Sequence, residues 1–181
     1  AVTDSYDAVY RFEEDKFNIL HELGGNAHGS GQSWWGDFFK VSREKEYENL
    51  FRIPGFVSNE SARLRARMAL RTDASSNFFL AYRDQRIASS VASRIRFGAQ
   101  EQSVAAVPAL LEGDIQLRDE RFSVILDYPT PSNANESEGW LDWIQLRVRR
   151  KLTFSGLEQF DFRDTRNSNE STVSYRFEEF P

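Results

Sequence analysis

Hydrophobic and polar positions alternate most cleanly over residues 62–71. Ala62, Leu64, Ala66, Met68 and Leu70 share one parity, and Arg63, Arg65, Arg67 and Arg71 lie on the other. A strand sends successive side chains to opposite faces, so this stretch predicts one core face and one ladder of guanidinium groups. Such a ladder suits pairing with acidic residues on neighbouring strands. A nucleic-acid or phosphate surface would need interleaved aromatic residues or adjacent glycine loops, and the segment has neither.

Residues 139–154 carry the same signal over a longer span. Ile144, Leu146, Val148, Leu152 and Phe154 take even positions, and Gln145, Arg147, Arg149, Lys151 and Thr153 take odd ones. This predicts a long strand on a one-sided core, around which the rest of the chain is organised. Asp142 breaks the pattern, because it shares the apolar parity between Trp140 and Ile144. An ionised carboxylate there must find donors or lie at the wet end of the strand. A strand-entry Asp bonded to nearby backbone is the expectation, and a ligand or metal role is the alternative.

Elsewhere the pattern is shorter. Residues 8–19 read as two strands, or as one strand with a charged turn at Glu13-Glu14-Asp15-Lys16. Residues 21–36 hold Gly24, Gly25, Gly29, Gly31 and Gly36 without periodicity and predict a long loop carrying Trp34-Trp35. Tyr47, Phe51 and Ile53 mark a strand stopped by Pro54-Gly55, and residues 77–82 and 87–95 read as a hairpin turned at Arg83-Asp84-Gln85-Arg86. Residues 103–111 are ambiguous between helix and strand because of Pro108, and Phe122, Val124, Leu126 and Tyr128 alternate again. A polar loop over 132–139, a turn at Ser155-Gly156 into residues 157–162, and a last strand at Val173, Tyr175 and Phe177 complete the reading. The pentapeptide Tyr-Arg-Phe-Glu-Glu occurs at 10–14 and 175–179 with nothing around it repeating, so it marks two similar strands and no duplication. Many strands joined by turns, with no long amphipathic helix, predict an all-β fold: an antiparallel β-sandwich, jelly-roll-like, in a single domain over residues 1–181. An eight-stranded outer-membrane barrel is the competing architecture. Ser123, Asp127 and Asp142 interrupt the apolar band it would need.

Composition narrows the chemistry. The 181 residues are 40% hydrophobic and 28% charged, with no run of about 18 apolar residues to form a spanning helix. A net charge of −5 argues against nucleic acid, which requires a concentrated basic surface. The absence of cysteine removes a disulfide framework, a thiol nucleophile and cysteine-based zinc sites. Ala1 without an initiator Met or signal-like segment reads as a processed product or a fragment.

Candidate catalytic groups fall away one by one. His28-Gly29-Ser30 mimics the histidine display of caspase-like peptidases, but no buried strand precedes it and no cysteine exists to be activated. Ser30 or Ser33 with His28 or His21 and Asp37 lacks the strained elbow that a serine nucleophile uses. No catalytic residue, cofactor or metal site is assigned. Trp34 and Trp35 are the candidate binding residues: a tryptophan pair in a glycine-rich loop can make a flat platform for a sugar ring or a partner's surface, or can plug one end of the sandwich. Asn59, Asn135 and Asn169 head Asn-Glu-Ser triplets that match the N-glycosylation pattern, which matters only in a eukaryotic secretory chain.

Three stretches together resemble the PorU family, the gingipain-like sortases of the Bacteroidota type IX secretion system. Residues 30–39 (Ser-Gly-Gln-Ser-Trp-Trp-Gly-Asp-Phe-Phe) are similar to that family's Ser-Gly-x-x-Trp-Phe-Gly-x-x-Phe motif. Arg52-Ile53-Pro54-Gly55-Phe56-Val57 is similar to its aromatic-Pro-x-hydrophobic segment. Leu141-Asp142-Trp143-Ile144 running to Arg149-Arg150-Lys151-Leu152, then Phe160-Asp161-Phe162-Arg163, resembles its Leu-Asp-Tyr-Ile strand ending in Arg-x-Leu and a following Phe-Arg. The resemblance implies a β-rich accessory domain preceding a caspase-like peptidase domain, in a protein that removes C-terminal sorting signals and attaches cargo. It further implies placement at the cell surface, outer membrane or periplasm, and partnership with the downstream catalytic domain or other secretion components. A carbohydrate-binding module, with a glycan as partner, is the alternative.

Overall fold

Two antiparallel sheets packed face to face realise the alternation, in a computed structural model that describes residues 2–18, 34–95, 106–153 and 161–178. One sheet runs β2 (Ser5–Glu13), β10 (Ser137–Lys151), β5 (Ser61–Thr72) and β8 (Val107–Gln116), with β3 (Phe38–Phe39) paired to the start of β10. The other runs β4 (Glu44–Arg52), β9 (Arg121–Asp127), β6 (Ser76–Tyr82) and β7 (Gln85–Ala92). Counting only these long strands from the N-terminus, the orders are 1-8-3-6 and 2-7-4-5. That is the double Greek key of a jelly roll. The sheets do not close on one another, so the barrel alternative is excluded.

The inner faces form the core. Ala62, Leu64, Ala66, Met68 and Leu70 of β5 are fully buried against Phe122, Val124 and Leu126 of β9. Aromatic rings stack through the layer: Tyr82 on Phe122 at 5.5 Å and Phe122 on Phe51 at 5.8 Å. Such contacts add to the large area each ring removes from water. Tyr128 is buried completely, and its hydroxyl accepts from Ser137 Oγ at 2.9 Å and lies 3.2 Å from Ser76 Oγ. A buried phenol is tolerated because its polar end is bonded.

Local devices keep the parity. In β4 the register with β9 shifts between Tyr47, opposite Val124, and Phe51, opposite Phe122. Asn49, at φ 49°, takes up the shift and donates its N–H to Ser123 Oγ at 2.9 Å, so Tyr47 and Phe51 both point inward. Gly55, at φ 66°, supplies the turn that stops the strand after Pro54. The predicted hairpin is present, with Arg83 at φ 54° in its turn between β6 and β7. The ambiguous stretch around Pro108 is strand β8, and a proline is accommodated there because β8 is an edge strand.

Three expectations are corrected. The loop expected over 132–139 ends early, because β10 already begins at Ser137. The last strand shrinks to β11 (Ser174–Tyr175), which pairs in parallel with β1 (Val2–Thr3) and stands apart from both sheets. Asp142 does not share the core-facing side. The pairing of β10 with β5 shifts by one residue between Leu141, opposite Met68, and Trp143, opposite Arg67. Asp142 is the inserted residue of a β-bulge, and the insertion exchanges the faces on either side of it. Odd residues such as Leu141 face the core before it, and even residues such as Ile144 and Leu146 face the core after it. The turn expected at Ser155-Gly156 lies outside the described residues.

Candidate functional site

The bulge turns Trp140, Asp142 and Trp143 to the outer face of the β10 sheet. There a second, smaller apolar cluster forms from Trp35, Ala69 and Trp140, with Phe17 against it. Backbone bonds lay residues 35–37 over the sheet: Trp35 exchanges N–H and C=O with Phe17 at 2.8 Å, and Gly36 N–H donates to Leu141 O at 2.6 Å. β3 continues this course, sending Phe39 into the main core and Phe38 outward, where it stacks on Trp140 at 5.2 Å. As a result the first half of β10 is buried on both faces, which corrects the one-sided reading of that strand.

The candidate tryptophans therefore occupy different environments. Trp35 is 6% exposed, and its Nε1–H is buried with no acceptor among the described residues. Trp34 is 46% exposed and Phe38, stacked on Trp140, is 41% exposed, so the two present an apolar rim to water. Guanidinium groups cover the remaining ring faces: Arg67 stands 5.6 Å over Trp35, and Arg11 and Arg65 stand 4.7 and 5.7 Å over Trp143. Cation–π contacts of this kind hold both the arginine and the ring in one orientation.

Carboxylates tie these arginines down. Arg67 Nη1 donates to Asp142 Oδ2 at 2.7 Å, and Arg11 Nε donates to Glu13 Oε2 at 2.7 Å. Arg63 reaches Glu112 and Asp114 at 3.0 and 3.1 Å, and Arg65 lies 3.2 Å from Glu112. The arginine ladder is thus paired with acidic neighbours on β8 and β10, as its spacing predicted. Burial pushes the Asp142 carboxyl above the usual carboxylate range, against the pull of Arg67 and with a further push from the charge of Glu13.

Asp37 serves the scaffold. It accepts from Lys45 at 2.6 Å, Tyr47 Oη at 2.8 Å and Lys16 at 3.3 Å. Burial alone would raise its carboxyl, but these donors outweigh burial and hold it low. Burial and the Asp37 charge push the Tyr47 hydroxyl well up. His21, His28, Ser30 and Ser33 lie outside the described residues. No group of three His, Cys, Asp or Glu able to hold a metal occurs among the described residues.

One cluster had no signal in the sequence. At the other end of the same outer face, Arg149 is buried, its side chain 3% exposed, although its odd position resembles that of Arg147. Residues 161–178 cover it, and Asp164, whose side chain is fully buried, accepts from Arg149 Nη1 at 2.8 Å. Ser5 O and Ser5 Oγ accept from the same guanidinium at 2.7 and 3.2 Å, Thr3 Oγ1 at 3.3 Å, and Asp7 lies at 3.4 Å. Parity alone carries no trace of a segment that folds back from far along the chain.

No protein-family model matches the chain, and no curated protein matches it. A solved structure does: dimeric latent PorU from Porphyromonas gingivalis, at a TM-score of 0.74 and 15% identity, over 100% of this chain and 16% of that one. At that identity the likeness is one of fold. The chain spans about a sixth of the length of the PorU chain it matches.

Proposed function

We propose that this chain is a non-catalytic accessory domain of a gingipain-like sortase of type IX secretion, packing against its catalytic domain or helping to position cargo. The observation that carries the reading is a coincidence of two likenesses. Three stretches of this sequence resemble motifs of the PorU family in their order, and the whole of this chain is similar in fold to 16% of a PorU chain. The chain has no cysteine, so the cysteine chemistry of such a sortase, which removes C-terminal signals and attaches cargo, belongs to another part of the protein. Placement at the cell surface, outer membrane or periplasm belongs to the same proposal.

The contact surface in this reading is the rim of Trp34 and Phe38. Exposed aromatic residues beside a rigid buried cluster are the composition of an interface anchor. A glycan platform gains less support, because arginines already cover faces of Trp35 and Trp143 that a sugar ring would need. Titration calorimetry of the chain against the caspase-like domain of its sortase tests the proposal. Trp34→Ala is expected to weaken association by about tenfold or more while leaving the fold intact. No association, or unchanged affinity in the variant, contradicts the reading.

A further inference from the structure

The outer face of the β10 sheet reads the segment Arg163-Asp164-Thr165-Arg166 one residue at a time. Asp7 N–H donates to Arg163 O at 2.8 Å, forming an antiparallel bridge on the edge of β2. Asp164 takes the Arg149 guanidinium at 2.8 Å. Thr165 donates its N–H and hydroxyl to Asp7 Oδ2 at 2.9 and 2.6 Å, and Arg147 donates to the same hydroxyl at 2.6 Å. Arg166 forms a fork on Glu60, with Nη1 to Oε1 at 2.7 Å. Every side chain of the three-residue sequence from Asp164 to Arg166 thus meets a complementary group on the sandwich.

The Arg149 corner of this receptor is built without the segment. Ser5 and Thr3 hold the Arg149 guanidinium from the far side, leaving Nη1 aimed at the position of Asp164. The groove also extends beyond its occupant. A cavity of about 840 Å³ runs beside Arg163 and Thr165 and is floored by Val9, Gln145, Arg63 and Arg65. The segment itself is largely exposed, with Arg163, Thr165 and Arg166 open to water. Phe162 before it is anchored against Tyr6, Tyr175 and Phe177, whereas residues 163–166 themselves are held by one backbone bridge and a few charged bonds, so they can open without unfolding the core.

We infer that this groove is a peptide-binding site for extended segments of the type Asp-Thr-Arg, with residues 163–166 as its resident, exchangeable ligand. A segment of the same chemistry supplied in trans competes for the groove, and the chain's own copy regulates access to it. Charge-assisted bonds to Arg149 and Glu60 give the specificity, and the bridge to Asp7 gives the extended conformation.

Two measurements test this. In the wild-type chain, hydrogen exchange of the Thr165 amide is expected to be at least about a hundredfold faster than that of β5 core amides, through local opening. Exchange of Thr165 in step with the core would make the segment an integral part of the fold and overturn the inference. In the full chain carrying Asp164→Ala and Arg166→Ala, a labelled peptide Arg-Asp-Thr-Arg-Asn is expected to bind saturably by fluorescence anisotropy. The same peptide with Asn for Asp should bind about tenfold more weakly. Equal binding of both peptides, or binding of neither, overturns the inference. If the double variant does not fold, the wild-type exchange result decides.

Discussion

Two ends of one sheet face solve the same problem in opposite ways. At the bulge end, Asp142 is nearly buried and has one guanidinium partner, Arg67, whose side chain is 43% exposed. At the other end, the Asp164 side chain is fully buried and meets that of Arg149, 3% exposed, with Asn167 Nδ2 donating to the second Asp164 oxygen at 2.6 Å. Burial raises the Asp142 carboxyl, and the half-solvated Arg67 with the charge of Arg11, opposed by that of Glu13, does not offset it. At Asp164 burial pushes in the same direction, yet Arg149, Asn167 and the Arg166 amide outweigh it and hold the carboxyl low. Burial does not by itself set the sign of the shift; the number and rigidity of the donors do.

The aromatic positions supply the largest expected difference between ends. Trp35 seals the bulge end, so Trp35→Ala should destabilise the chain by about 3–5 kcal/mol in urea unfolding. A loss below about 1 kcal/mol would show that the small cluster is not part of the folded unit. Next comes the paired aspartate comparison. Asp164→Ala leaves Arg149 without its closest carboxylate and should lower protection of the Thr165 amide at least about a hundredfold in hydrogen exchange. Asp142→Ala lets Arg67 turn to water and should change its neighbours' protection by less than about tenfold. Equal effects would abolish the distinction between the ends.

How far the sequence foretold this differs between the ends too. The alternation of residues 62–71 was enough to specify β5, its core face and its ion-paired outer face, because period two is a local property. The jelly-roll class followed from many such strands. Asp142 was misread because a single inserted residue exchanges the faces of everything beyond it, and no residue type announces a bulge of this kind. Arg149 was unreadable for a different reason. Its burial is conferred by residues 161–178, which join the sandwich through side-chain bonds, isolated bridges and the short β1–β11 pair, and nothing in the alternation around Arg149 marks the segment that covers it.

Acid should separate the ends further. Burial would raise the Asp7 carboxyl, but the Thr165 hydroxyl and amide, Arg149 and Arg147 together hold it low, as Asp164 is held low. Groups with lowered values contribute stability above their unfolded value and lose it as pH falls through the folded one, so the segment over Arg149 should loosen only below the ordinary carboxylate range. Asp142 has the opposite sign: its contribution is present in acid and is lost as pH rises through its raised value. Urea midpoints taken from roughly pH 3 to 8 should therefore fall less towards neutrality in Asp142→Asn than in the wild type. Parallel curves would remove the assigned shift. The smallest expected effect is on the exposed rim, where Trp34→Ala should change stability by no more than about 0.5 kcal/mol. A loss as large as that of Trp35→Ala would make Trp34 part of the core.

The proposed division of labour along this face, with one end for contact and one end covered by an exchangeable segment, is tested most directly by hydrogen exchange of the chain with and without the caspase-like domain of the proposed sortase. The account predicts new protection at Trp34 and Phe38 and none at Ser123 or Ile125 on the opposite sheet. Protection confined to Ser123 and Ile125, with Trp34 and Phe38 exchanging as in the free chain, would contradict it.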